Sequence, residues 1–119
     1  MTMRDIYIEC GNGWKPLIDE YLDWVDDFNK DKTDEERVET LQIKEKFGRL
    51  TIYPNYYPKG LMELLNTLEE ASTKVCENCG KPIKCPRTVN YWIYTLCDEC
   101  FNEMERKKKE TSERYIYKP

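Results

Sequence analysis

The chain is 119 residues long, which fits one compact domain or a small domain joined to a metal-stapled module and excludes a pair of full-sized domains. Charged residues make up 35% and hydrophobic ones 39%, and an aromatic share of 13% supplies enough large side chains for a core, so global disorder is not expected. The formal charge is −4, and six cysteines stand with no histidine, which excludes every histidine nucleophile system, general base and metal ligand.

Charge is split unevenly. Residues 1–75 carry 16 acidic and 10 basic side chains, and residues 76–119 carry 7 and 9. An acidic chain is poorly suited to bulk nucleic-acid binding, although the second half leaves room for a local basic patch. Met1 to Cys10 holds no apolar signal-peptide core, and no apolar run approaches the ~18 residues of a membrane span. The expectation is a cytoplasmic protein with no membrane partner, where paired cysteines bind metal more often than they form disulfides.

Met3 to Cys10 reads either as a short strand or as the lead-in to a helix, and Gly11-Asn12-Gly13 is a turn. Trp14, Leu17, Ile18, Tyr21, Leu22, Val25 and Phe28 then fall at spacings of three and four, with acidic residues opposite. That pattern predicts an amphipathic helix, with Pro16 tolerated in its first turn and Trp24 at the stripe's margin. Thr33 to Glu36 resembles a capping box and predicts a short turn of helix. From Glu39 the period switches to two. Leu41 and Ile43, then Leu50 and Ile52, alternate with polar residues around Phe47-Gly48, predicting a β-hairpin whose apolar face packs on the first helix. After a Pro- and Tyr-rich loop, Leu61, Leu64, Leu65, Leu68, Ala71 and Val75 predict a second helix from about Gly60 to Val75. A last helix is expected to begin inside the second cysteine pair and run through Phe101 and Met104. It continues into a polar stretch, Arg106 to Arg114, before an apolar Tyr115-Ile116-Tyr117 tail.

Cys76-Glu77-Asn78-Cys79 and Cys97-Asp98-Glu99-Cys100 are two Cys-x-x-Cys pairs, 17 residues apart. This is zinc spacing: two intervening residues let the chain turn tightly enough for both thiolates to reach one ion at ~2.3 Å. Gly80 suits a backbone at positive φ behind the first pair. With no histidine available, the expected site is all-thiolate, closed and structural, holding one Zn²⁺, with Fe as the alternative ion for the same geometry. Redox pairs or a disulfide set are the competing explanation, and the double motif disfavours them. Cys85 lies between the pairs and is expected not to ligate. Cys10 reads either as a small buried residue beside the first helix, the preferred reading, or as a reactive thiol at a helix N-terminus.

Other constellations admit plainer explanations. Nine acids fall between Asp19 and Glu36, and Asp19, Asp23, Asp26 and Asp27 form either a solvated helix face or a partner-binding surface. Tyr56 and Tyr57 are candidate interface anchors and equally ordinary half-buried residues. Trp92 is expected to pack over the metal knuckles. Lys81, Lys84, Arg87, Arg106, Lys107, Lys108 and Lys109 could form a phosphate-binding patch on the metal module, or an exposed helix with interleaved glutamates. Nothing places a carboxylate pair in an apolar pocket that would split its pKa values, and no phosphate-binding glycine loop is present.

Gly11-Asn12-Gly13-Trp14, Gln42 to Leu50 with its Lys44-Glu45-Lys46-Phe47-Gly48 phrase, Cys76 to Gly80 and Thr95 to Cys100 form an ordered series. It resembles a group of small bacterial and bacteriophage zinc-ribbon proteins of unassigned function. The resemblance spans about residues 10–101 and implies an architecture and a phage or prophage setting, without an activity. Cys85-Pro86 departs from that group's pattern.

The expected fold is α+β: amphipathic helix, β-hairpin and second helix packed together, followed by a C-terminal four-cysteine zinc ribbon. The expected units are residues 1–75, a ribbon at 76–105 and a polar helix or tail at 106–119. The expected function is that of a non-enzymatic zinc-containing protein that docks on a host protein as a phage-type modulator or inhibitor, counter-defence being one such role. A nucleic-acid-binding zinc ribbon is the alternative, and an enzyme using Cys10 is a distant third.

Overall fold

Residues 6–115 are described by a computed structural model, with side chains to Glu110. Met3 to Asp5, Ile116 and Tyr117 lie outside the described residues. Strand β1 (Ile8–Glu9) leads through a 3₁₀ turn (Asn12–Trp14) into helix α1 (Lys15–Asn29). Strands β2 (Thr40–Lys46) and β3 (Arg49–Pro54) follow, then helix α2 (Leu61–Ser72), strands β4 (Arg87–Val89) and β5 (Trp92–Tyr94), and helix α3 (Asp98–Tyr115). The fold is α+β, with the four paired cysteines gathered in the C-terminal region. Among the described residues no helix is long and apolar enough to cross a membrane.

The period of α1 sets the core. Ile18, Tyr21, Leu22 and Val25 are buried on one side, while Glu20, Asp23, Asp26 and Asp27 are exposed on the other. At the stripe's margin Trp24 stacks on Phe28, with centroids 5.3 Å apart, and the Lys32 ammonium lies over the Phe28 ring. The hairpin supplies Ile43, Leu50 and Ile52, and α2 supplies Leu61 and Leu68, to the same apolar cluster. Tyr21 and Thr40 share a hydroxyl hydrogen bond of 2.7 Å at the α1–β2 contact.

β1 pairs parallel to β2, with Ile8 opposite Ile43, so within the described part of the Met3–Cys10 segment Ile8–Glu9 is a short strand. β2 and β3 are antiparallel around Phe47-Gly48, both at positive φ (53° and 79°), as a two-residue type I′ turn demands. An irregularity between Thr40 and Gln42 corrects one expectation. The one-residue offset turns Leu41 outward, 67% exposed, although strict alternation puts it on the apolar face.

Two boundaries also differ from expectation. Thr33 to Glu36 forms a turn that does not propagate, because Val38 is drawn into extended pairing with Asn29. Helix α2 stops at Ser72, three residues before Val75. The Ser72 and Thr73 hydroxyls donate back to the Glu69 and Glu70 carbonyls, competing with helix continuation, and Val75 instead bridges to Pro82.

Candidate metal centre

Each pair of cysteines sits on a tight backbone turn. In the first, the Gly80 N–H donates to the Cys76 carbonyl at 2.9 Å and the Cys76 N–H to the Lys81 carbonyl at 2.7 Å. Gly80 has φ +85°, the left-handed conformation expected of it. In the second, Cys97 precedes α3 and Cys100 lies in its first turn, where the Phe101 N–H reaches the Cys97 carbonyl at 2.9 Å. The β4–β5 hairpin spans the gap, turning on Asn90 and Tyr91. Arg87 in β4 fastens the second knuckle, donating to the Leu96 carbonyl at 3.2 Å and to Asp98 at 2.6 Å while lying over the Phe101 ring.

The four sulfurs of Cys76, Cys79, Cys97 and Cys100 all lie within 4.8 Å of one another, and those of Cys79 and Cys97 are 3.7 Å apart. Thiolates at ~2.3 Å from a central ion span tetrahedron edges of about 3.8 Å, so this group could hold one metal ion. Burial pushes the Cys76 thiol upward, but backbone N–H groups of Cys97, Cys79 and Asn78 outweigh it and bring the thiol down to about 6. Hydrogen bonds stabilise the charged form, making Cys76 the sulfur best prepared to meet a cation. At Cys100 the Asn78 amide, 3.3 Å from the sulfur, favours the thiolate. Desolvation and the neighbouring sulfurs of Cys97, Cys79 and Cys76 prevail, raising the thiol to about 12. Neighbouring negative sulfurs repel, and a bound cation relieves that repulsion. The Asn78 contact across the two knuckles had no signal in the Cys-x-x-Cys spacing.

The knuckles are joined to the rest of the chain. The Gly13 N–H donates to the Glu77 carbonyl at 2.6 Å, the Gly11 N–H to Glu77 Oε2 at 2.9 Å, and the Trp14 indole to the Val75 carbonyl at 3.0 Å. A Cβ on Gly13 would collide with the Cys76 carbonyl, so only glycine permits this approach. The tip of the β2–β3 hairpin meets the ribbon too, with the Thr95 hydroxyl donating to the Gly48 carbonyl. A hydrogen-bonded seam therefore joins Gly11, Gly13, Trp14 and Gly48 to the cysteine-bearing segment.

Cys85 is exposed and outside the sulfur group. Cys10 is half-buried at the edge of the core; burial, then Glu77 and Glu45, push its thiol up to about 11, opposite to an activated nucleophile. Trp92 is 69% exposed and does not cover the knuckles: the two-residue turn beside it projects its side chain outward.

Several expected cations already face acids. Lys81 pairs with Glu99 at 3.1 Å, Arg87 with Asp98, Arg106 with Glu110 at 2.6 Å, and Lys108 with Glu105 at 4.0 Å. Lys84 and Lys109 are exposed without an acidic partner among the described residues, and exposed Lys107 acts on the Glu103 carboxylate through its charge, without a close ion pair. On α1, Asp19 pairs with Lys15 at 2.8 Å and Asp27 with Lys30 at 3.3 Å, and Asp23 and Asp26 are exposed. The Tyr56 hydroxyl donates to the Glu36 carbonyl, pinning the acidic connector, and Tyr57 is 48% exposed. Comparison with protein-family models, with curated proteins and with solved structures gives no match.

Proposed function

We propose that the protein holds one structural Zn²⁺ and acts, without catalysing a reaction, by docking on another protein in the cytoplasm. The zinc assignment is supported above all by the four sulfurs at tetrahedral spacing. Four soft thiolates suit Zn²⁺, and a four-thiolate set fills the coordination shell, leaving no position for a reacting water. Zinc would fix the ribbon and add no chemistry of its own. The docking reading is supported by exposed aromatic anchors, of which Tyr91 is 99% exposed and Trp92 69%. It also draws on the pairing of Lys81, Arg87, Arg106 and Lys108 with carboxylates, which takes charge away from a phosphate-binding patch. The resemblance carried by Lys44 to Leu50 points to a phage setting, and so to a host protein as the partner; the inhibitor role is the reading that setting suggests for a small protein without catalytic machinery.

Elemental analysis of purified protein tests the first part. One zinc per chain is expected, lost together with ribbon structure when Cys76, Cys79, Cys97 and Cys100 are changed to serine; full structure in that variant would sink the claim. For the second part, an affinity pull-down from host cells is expected to capture one protein. A filter-binding titration is expected to find no nucleic acid bound, whereas tight binding with a steep negative salt slope would transfer the assignment to the nucleic-acid reading.

A further inference from the structure

Two features have no role inside the fold. Each hairpin places an aromatic residue in the left-handed region of its turn: Phe47 at φ 53° ahead of Gly48, and Tyr91 at φ 69° after Asn90. Type I′ turns favour Asn and Gly at these positions, and a bulky side chain there is strained. Packing does not offset the strain, since Phe47 is 73% exposed and Tyr91 99%. Residues held in costly conformations with no internal compensation mark functional positions. The β2–β3 turn abuts β5: Gly48 lies against Ile93 and accepts the Thr95 hydroxyl.

Beside these turns, a groove of about 1070 Å³ runs between ribbon and body. Trp92, Tyr94, Leu96 and Met104 give it an apolar wall, and Glu45 and Glu77 line it from the other side. One oxygen of Glu45 accepts the Gly48 N–H at 2.7 Å and one of Glu77 the Gly11 N–H at 2.9 Å. Neither carboxylate has a cationic partner among the described residues. Cys100 also lines the groove, and four thiolates around one Zn²⁺ would leave that wall with a net charge of about −2. Lys107 and Lys108 line the groove as well. Lys108 is already engaged, its ammonium 2.9 Å from the Tyr94 hydroxyl and 5.0 Å from the centroid of that ring, so the aromatic wall demonstrably accepts an ammonium group.

We propose that this groove docks a basic segment of a partner protein, seating an arginine or lysine head between Glu45 and Glu77 with its stem along Trp92, and that the exposed Phe47 and Tyr91, on the turns close in sequence to the lining residues Glu45 and Trp92, meet the partner outside the groove. Exposed aromatics also suit stacked bases, but the carboxylates of Glu45, Glu77 and Glu103 outnumber the lining lysines Lys107 and Lys108, which disfavours phosphate. The inference deepens the protein-docking reading and rests on it.

Calorimetric titration of the zinc-loaded full chain tests it, using three probes: an acetylated hexapeptide alternating arginine and leucine, the same peptide with glutamate for arginine, and a ten-residue oligothymidylate. The arginine peptide is expected to bind at least about tenfold tighter than either other probe. Glu45→Gln, which keeps shape and removes charge, and Trp92→Ala, at an exposed position, are expected to weaken it about threefold or more with zinc content unchanged. The Phe47→Asn, Tyr91→Gly double variant is expected to bind less tightly and melt at a higher temperature. No binding of the arginine peptide, no preference over the glutamate peptide, tighter binding of the oligothymidylate, or unchanged affinity in Glu45→Gln and Trp92→Ala would each overturn the proposal. Should any of these occur while the pull-down still captures its protein, this groove fails and the docking reading stands.

Discussion

Asn29 replaces a stretch of sheet with one side chain. Its Oδ1 accepts the Val38 N–H at 2.8 Å and its Nδ2 donates to the Val38 carbonyl at 2.9 Å, both in the buried interior. Asn29→Ala leaves two buried backbone groups unpaired, at about 1–3 kcal/mol each, so urea unfolding is expected to show a loss of about 2–6 kcal/mol. A loss below about 1 kcal/mol would mean that water reaches Val38. The helical period does place Asn29 on the apolar face, four residues after Val25, and a polar residue at a core position is a readable sign of a buried hydrogen bond. Its partner was not readable, because nothing in Arg37-Val38 marks a clamp. At Cys10 the sequence left two readings, and burial beside Glu77 and Glu45 decides for the unreactive one. With its thiol raised to about 11, the thiolate fraction at pH 8 is about one in a thousand. Iodoacetamide at pH 8 is therefore expected to modify exposed Cys85 well ahead of Cys10 in native, metal-loaded protein, with Cys10 gaining rate as pH approaches 11; peptide mass mapping reads the order.

Elements were legible where a long period repeats and illegible where a local side-chain contact overrides it. The stripe of α1 and the hairpin turn at Phe47-Gly48 are cases of the first kind. The outward Leu41 and the early end of α2 at Ser72 belong to the second. So does the connector, where Thr33 and Glu36 make half of a capping box without a helix to cap. The Thr33 hydroxyl donates to Glu36 Oε1 at 2.9 Å and its backbone N–H to the same oxygen at 3.3 Å, which holds the Glu36 carboxyl below its usual range. A carboxyl lowered by folding stabilises the turn at pH above its ordinary value, and that contribution disappears as pH falls through the lowered one. Amide exchange in Thr33 and Glu36 is expected to lose protection below about pH 4 while the core amides keep theirs; simultaneous loss would contradict a local effect. Helix α3 gives an opposite expectation. From Glu105 to Glu110 every side chain is exposed, and Lys108 reaches back by a hydrogen bond to Tyr94. Ending the chain after Glu105 is expected to leave metal content unchanged and move the melting temperature by no more than about 2 °C. A larger drop would reveal support running through Lys108.

At the scale of the whole molecule, ribbon and body share one seam. Gly11, Gly13 and Trp14 bond to Val75 and Glu77, and Gly48 accepts from Thr95. The motifs on each side of that seam were visible in the sequence, but their contact was not, because glycine-to-backbone packing leaves no periodic trace. Trp14 is fully buried there and reports on it. In a Trp24→Phe, Trp92→Phe background, a strong chelator is expected to red-shift Trp14 emission together with the loss of ribbon circular dichroism. Unchanged Trp14 emission after the metal has left would show that the body stands alone. The seam also joins residues 61 and 66 positions apart, so on the ribosome α1 is made long before its N-terminal seat exists. Until residues 75–77 are synthesised and seated, the nascent chain carries an exposed tryptophan and unpaired backbone donors, features that proteases and chaperones recognise. On the zinc-bound reading proposed above, metal supply would set how many copies of the protein mature, and its abundance would become a record of the zinc available while it was being translated.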